Sequence, residues 1–416
     1  MTESFIVLAS VFGSFFLVDP IFNGALTKFA LAKATILILG WGSLLFHLLG
    51  RAVVSPQRFS VAMGEVLRAW WPALLLAAFV LGGSAYARVV DRVQESFLAL
   101  GLGLLFGPMF ALAVRTSDHP FTLMKSLLGV YVLTVLAMLG LLFARDHVFH
   151  EAIFVAVPAG AYFIFARDFR WWRCLLGLVL IGACLFSFKN TTFLLVLASL
   201  LACLLVWLLR TLRGNNPIAV ALGVLVIVPL GLLACAAMGY AWWQNRELLP
   251  SGNVEYRTEM YNIAWRQFTS SPIWGTAFTD ASVVYFSLFK VDLGTQYLPT
   301  HSDVLDLLAH GGLIGFTLWL LLVWLVLRLG WSTLRVLVQR EEGVDLRPWQ
   351  YMGVLTMIQI GAVITYVINP ILISPVHAFW VWGTAGVMWA LHRELTAPAL
   401  PMPLTRRALL HQAVLR

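Results

Sequence analysis

The sequence predicts an all-α polytopic membrane protein, with about twelve transmembrane helices and one large outward-facing loop that contains short helices. Three observations carry this expectation. Hydrophobic residues make up 60% of the 416 and charged residues only 12%, where soluble domains carry about 25% charged residues. The mean hydropathy is +0.86. The apolar runs recur along the whole chain and are interrupted at length only once, over residues 241–310.

Apolar runs place spans at 4–19, 27–49, 69–87, 97–115, 121–144, 152–166, 171–188, 192–209, 217–240, 311–328, 349–368 and 371–391, against the roughly 20 apolar residues that a helix needs to cross a hydrocarbon core. The first run lacks a basic leader region and a small-x-small cleavage site, so it reads as an uncleaved span and not as a signal peptide. Between 171–188 and 192–209, Phe188-Lys189-Asn190-Thr191-Thr192 puts a charge and a turn. A charge at the bilayer centre is costly, so this pair reads as a hairpin. The organisation is then spans one to nine in 1–240, an outward catalytic loop over 241–310, spans ten to twelve in 311–391, and a cytoplasmic tail over 392–416. The tail, with three prolines and several arginines, reads as a segment that rests on anionic lipid. Trp70-Trp71, Trp171-Trp172 and Trp242-Trp243 are expected in the interfacial aromatic belts.

An even number of spans puts both termini on one side. If that side is the cytoplasm, its loops hold 18 of the 28 Lys and Arg residues, the bias that the positive-inside rule demands. The net charge of +8 is thereby accounted for without nucleic acid. The loop 241–310 then faces the periplasm or cell exterior, and the protein is expected in a bacterial inner membrane. Cys174, Cys184, Cys203 and Cys235 all lie in apolar runs without metal-ligand spacing and read as small buried residues. Arg145, His147 and His150 lack a further ligand set, so no metal is expected.

Within the loop, residues 254–270 have helical periodicity, with Tyr256, Met260, Ile263, Ala264 and Phe268 on one stripe. Such a helix lies on the membrane surface or on neighbouring spans. Arg266 falls on its polar face, and Arg257 near the edge of the apolar stripe. Ser271-Pro272 ends the helix, because the residue before proline avoids the helical region. Downstream, Thr300-His301-Ser302-Asp303 precedes an apolar run, with Thr300 or Ser302 placed to cap the new helix. His301 at that N-terminus is disfavoured as imidazolium by the helix dipole, and a neutral imidazole is what a general base requires. Asp303 and Asp306 are close enough in sequence to orient that ring or to oppose the shift. Gly311-Gly312 and Gly315 allow a kink or a close backbone approach. His310 is expected to pack or to face solvent.

These residues carry a resemblance. Arg257 with Tyr261, Pro272-x-x-Gly275, and then His301, Leu305 and Gly312-Leu313-Ile314-Gly315 resemble the pattern of the O-antigen ligase and polymerase superfamily over about 60 residues. Four positions depart from it: Ser302 stands for the usual asparagine, Ala277 for a second glycine and His310 for a common acidic residue, and Lys189 occupies the region of an arginine in the preceding outward hairpin. Lysine offers a point charge to phosphate where arginine offers a fork.

The resemblance implies a metal-independent membrane glycosyltransferase that needs no cofactor. Its donor would be a polyprenyl-diphosphate-linked glycan. Its acceptor would be a sugar hydroxyl, on lipid A-core for ligation or on a second lipid-linked glycan for polymerisation. It implies His301 as the general base and Arg257 as the cation on the leaving diphosphate, with Lys189, Arg266, Arg88 and Arg92 as further contacts to the substrate. The rival expectation, a transporter of a lipid-linked solute, calls for related repeats and polar sites at the midplane. No such repeat is visible.

Overall fold

The computed structural model describes residues 30–86, 92–121, 123–125, 128, 150–165, 171–185, 194–204, 251–279, 300, 302–339, 347–368, 371–372 and 378–396. Everything regular among them is helical. The helices are α1 (Ala30–Val54), α2 (Pro56–Ala85), α3 (Arg92–Thr116), α4 (His150–Phe165), α5 (Trp171–Leu185), α6 (Ser251–Ser270), α7 (Asp303–Gln339), α8 (Arg347–Ile368) and α9 (Thr384–Thr396), the last preceded by a π-helical turn, Phe379–Gly383. Pro56–Ala85, Asp303–Val338 and Pro348–Val367 are long and apolar enough to cross a membrane. Leu44–Val54, Leu100–Thr116 and Leu194–Leu204 are shorter apolar helical stretches. The spans expected at 4–19 and 217–240, and most of 121–144, lie outside the described residues.

Two helices extend beyond the apolar runs that announced them. The run expected at 69–87 is the second half of α2, which begins at Pro56. Proline is well placed at a first helical position, where its missing N–H is no loss, and Arg58, Glu65 and Arg68 shorten the apolar run without breaking the helix. The run expected at 311–328 lies inside α7, which is 37 residues long.

The chain divides into two compact units, the first Met1–Trp71, Leu105–Ala152 and Pro375–Arg416, the second Pro72–Leu104 and Ile153–Ser374. In the first unit, the end of α1, the start of α2, the end of α3 and the end of α9 meet in a cluster of charges. The Arg115 guanidinium pairs with Glu65 at 2.7 Å and with Glu394 at 2.5 Å. Asp118, just past α3, takes Arg51 at 2.8 Å and Arg58 at 3.0 Å. Arg58 also donates to the carbonyls of Arg115 (3.2 Å) and Ser117 (2.7 Å). Those carbonyls have no helical partner, and a cation is favoured at that end of the dipole. The hydrogen bond from Arg51 holds the Asp118 carboxyl below its usual value. Arg51, Arg58 and Arg115 are three of the cations expected to share one face, and the fold brings them together.

The same unit packs helices closely through small residues. A Cβ on Gly386 would run into the Gly107 carbonyl, and one on Gly107 into the ring of Trp70. Glycines of this kind let helix backbones approach where no hydrophobic drive exists between apolar surfaces. At the π turn, the Thr384 hydroxyl donates to the carbonyls of Trp380 and Val381.

Candidate active site

The second unit holds the segment that the sequence marked. Helix α6 ends at Ser270, immediately before Ser271-Pro272. Its buried stripe is Met260, Ala264 and Gln267, and α6 packs against α7. Arg257 lies one turn before Met260 on that stripe and is half-buried. Arg266 is exposed, and its Nε donates to the carbonyl of Asn262 in its own helix at 3.3 Å.

After α6 the chain folds into a tight loop, 271–279, that docks on a break in α7. At Gly312 the backbone of α7 takes φ 58° and ψ −159°, a region that only glycine enters readily. In an unbroken helix Leu313 would donate to Ala309, and Ile314 to His310. Here the loop takes both sides of those two rungs. Thr276 N–H donates to Ala309 C=O at 3.1 Å, and Phe278 N–H to His310 C=O at 3.2 Å. Leu313 N–H donates to Pro272 C=O at 2.8 Å, and Ile314 N–H to Ile273 C=O at 3.2 Å. Two intrahelical bonds are thus exchanged for four. Buried backbone polar groups need such partners, above all where no water can supply them.

The clasp accounts for both glycine motifs at once. A Cβ on Gly275 would lie 2.5 Å from the Ala309 carbonyl and 2.8 Å from Gly312 N. A Cβ on Gly312 would lie 2.6 Å from Gly275 N and against the Ile273 carbonyl. The glycine of Pro-x-x-Gly and the first glycine of Gly-Leu-Ile-Gly are one contact seen from two sides. Gly275 itself has φ 59°, and Ala277 and Phe278 follow at φ 52° and 58°. Ala277 stands where the family pattern has a glycine, and its left-handed backbone gives the physical reason for that preference.

Aromatic rings wedge the clasp in place. Phe278 is buried and meets Phe79 of α2 and Phe97 of α3 edge to face, with centroids 5.4 and 5.1 Å away. The His310 ring packs on Phe97 at 4.6 Å, and its Nδ1 lies 3.0 Å from the Thr276 hydroxyl. His310 is therefore buried packing, the first of its two expected roles.

The start of α7 is anchored as firmly. Ser302 is the cap, its hydroxyl 3.5 Å from the N–H of Leu305. Asp303, buried, accepts N–H bonds from Ile371 at 2.8 Å and Leu372 at 3.2 Å. That ties the helix start to a segment 68 residues further on. Asp306 accepts the N–H of Thr300 at 2.9 Å with one oxygen. Its other oxygen is buried without a partner among the described residues. Both carboxylates sit in the first turn, where the helix dipole favours them. Thr300 and Ser302, on either side of His301, are buried. His301 itself, Lys189 and Arg88 lie outside the described residues. Arg92 is the first residue of α3.

Sequence reasoning missed Thr276, Phe79, Phe97 and the tether from Asp303 to residues 371–372. An acid at the first position of a helix signals favourable dipole placement but not its distant partner, and the aromatics look like any lipid-facing phenylalanine. No group of three or more metal-ligating side chains occurs among the described residues.

Residues 174–320 match the O-antigen ligase family, a stretch that runs from α5 through the clasp into α7. No curated protein matches the chain. The similarity to the O-antigen ligase superfamily thus rests on the region that contains Arg257, His301 and both glycine motifs, and it implies glycosyl transfer of the ligase or polymerase type.

Proposed function

We propose that this protein transfers a glycan from a polyprenyl-diphosphate carrier to an acceptor sugar hydroxyl at the outer face of a bacterial inner membrane. Lipid A-core is the first choice of acceptor. Polymerisation onto a second lipid-linked repeat unit is the alternative, because both reactions share the motif. The observation that carries the reading is the clasp. It binds the loop that follows the Arg257 helix, backbone to backbone, onto the helix that begins two residues after His301, and the family match covers both.

In this reading the chain crosses the membrane about twelve times and 241–310 faces outward. His301 takes the proton of the acceptor hydroxyl as its oxygen attacks the anomeric carbon. The bond from that carbon to the diphosphate oxygen breaks, and its electron pair leaves with the diphosphate. Arg257 stabilises the charge that develops there. Lys189, Arg88, Arg92 and Arg266 are further cations for the carrier, with Arg266 the weakest candidate given its exposed position. Asp303 is engaged by the amides of Ile371 and Leu372, so Asp306 is the carboxylate left to orient the His301 ring.

The test is product formation by purified protein from a defined lipid-linked donor, with lipid A-core or a second donor molecule as acceptor. His301→Ala and Arg257→Ala are each expected to lower turnover at least 100-fold, in line with the loss of a general base or an electrostatic stabiliser. Wild-type turnover in either variant at normal expression would remove that residue from the mechanism. Movement of the lipid-linked glycan across vesicles without any product would point to transport.

A further inference from the structure

On the far stretch of α7, away from the clasp, lies a groove that the proposed chemistry does not use. It has a volume of about 410 Å³ and runs between α7 and α8, lined by Trp324, Arg328, Trp331, Leu334, Thr356 and Ile360 among others. That volume falls in the range that holds a small apolar ligand, about 300–1,000 Å³. The lining is almost wholly apolar, and among the described residues its one cation is Arg328, which is exposed. No ion pair of Arg328 occurs among the described residues.

Two further features say what kind of molecule fits. The first is the stripe that continues from the groove. Trp324, Arg328, Trp331 and Arg335 follow one another at spacings of four, three and four along α7, all exposed, which puts them on one face of a helix. Trp324 and Trp331 are 65% and 72% exposed, too much for core residues and typical of side chains that meet lipid at an interface. The second is depth. At 1.5 Å per residue, Arg328 lies about 24 Å and Arg335 about 35 Å beyond the break at Gly312. The hydrocarbon core is about 30 Å thick. With the clasp at one membrane surface, Arg328 reaches the opposite interface by extending its side chain, and Arg335 stands among the headgroups there.

We propose that this groove seats an acyl chain of an anionic phospholipid from the leaflet opposite the clasp, with the lipid phosphate on Arg328. An apolar trough below an exposed guanidinium matches a chain below an anion, and arginine gives phosphate two parallel donors. Arg335 adds attraction for a headgroup of net negative charge over a zwitterionic one. The site is independent of the glycosyl-transfer reading.

The experiment is thermal unfolding of the purified full-length protein in a zwitterionic detergent, with added dioleoylphosphatidylglycerol or dioleoylphosphatidylcholine. Near saturation, phosphatidylglycerol is expected to raise Tm by roughly 3 °C or more, and phosphatidylcholine by less than half as much. Arg328→Gln should remove at least half of the phosphatidylglycerol shift, and Arg328→Lys should restore part of it. Leu334→Trp, which fills the trough, should remove the shift altogether. Equal shifts with the two lipids overturn the proposal, as does a phosphatidylglycerol shift that survives in both Arg328→Gln and Leu334→Trp. A shift given by polyprenyl phosphate but not by phosphatidylglycerol, and lost in Arg328→Gln, would reassign the groove to the carrier's tail. Dimerisation abolished by Leu334→Trp, without any lipid shift, would reassign it to a second copy.

Discussion

Arg115 draws Glu65 and Glu394 together with charge on charge, whereas the clasp around Gly312 joins its segments chiefly through backbone hydrogen bonds. Both link parts of the chain that are distant in sequence, and each does so inside its own unit. The ion-pair cluster depends on side chains that reach from helix ends, so its geometry tolerates small shifts and its strength answers to salt and pH. The clasp depends on the absence of side chains. It brings backbones so close that a single Cβ at Gly275 or Gly312 has nowhere to go. Charge clusters are adjustable and glycine contacts are not.

The sharpest way to break this contrast is Gly312→Val. The new side chain meets the Ile273 carbonyl, and the backbone region is closed to it. We expect a loss of roughly 3 kcal/mol or more, seen as a collapse of the folded fraction in detergent-solubilised extracts. A variant as thermostable as wild type would mean that the clasp contributes little.

Arg115→Ala should cost less, about 1–3 kcal/mol. It leaves Glu65 and Glu394 facing each other without their cation, but all three side chains keep some access to solvent. A double-mutant cycle between Arg115 and Glu394 measures the pairing itself. A coupling of zero would show the contact to be incidental, as many surface ion pairs are.

Ala277→Gly runs the other way. Relief of a left-handed alanine is worth about 1–2 kcal/mol, offset by about 0.5–1 kcal/mol of extra backbone freedom in the unfolded chain. The expected net gain is up to about 1 kcal/mol, read as a small rise in Tm; a fall would show that the alanine methyl contributes packing that outweighs the strain.

The smallest effect belongs to Asp118. The hydrogen bond from Arg51 holds its carboxyl below the ordinary aspartate range. A depressed carboxylate contributes stability that is fully present above its unfolded pKa and is lost as pH falls through the folded one. Asp118→Asn should therefore flatten the acid limb of a stability profile below about pH 4, and only slightly, because the side chain is 60% exposed. An unchanged acid limb would assign the pairing no weight.

Much of the local structure was legible. Pro272 announced the end of α6, Ser302 its role as cap, and the stripe through Met260 and Ala264 its buried face. These features depend on residues a few positions apart, where backbone sterics and helical period decide the outcome. The Lys and Arg bias likewise grouped Arg51, Arg58 and Arg115 on one face before any contact was known. The long-range pairings were not legible. Gly275 and Gly312 read as two separate motifs, since nothing in either says that the other is its neighbour. Asp303 looked like a partner for His301, but its carboxylate belongs to the amides of Ile371 and Leu372. Arg115 and Glu394 are 279 positions apart. A single sequence records which residues a site contains, while the fold decides which of them touch.

The break in α7 has one more consequence, for how the chain is made. Leu313 and Ile314 have ready-made partners in Ala309 and His310, so α7 alone would heal into a straight helix. Only the loop over 272–278 keeps it open, and that loop leaves the ribosome before α7 does. The competitor is thus already in place when the helix forms, and α7 is captured in its broken form as it emerges. Were the two segments encoded in the reverse order, a finished helix would have to be unzipped inside the membrane to admit the loop.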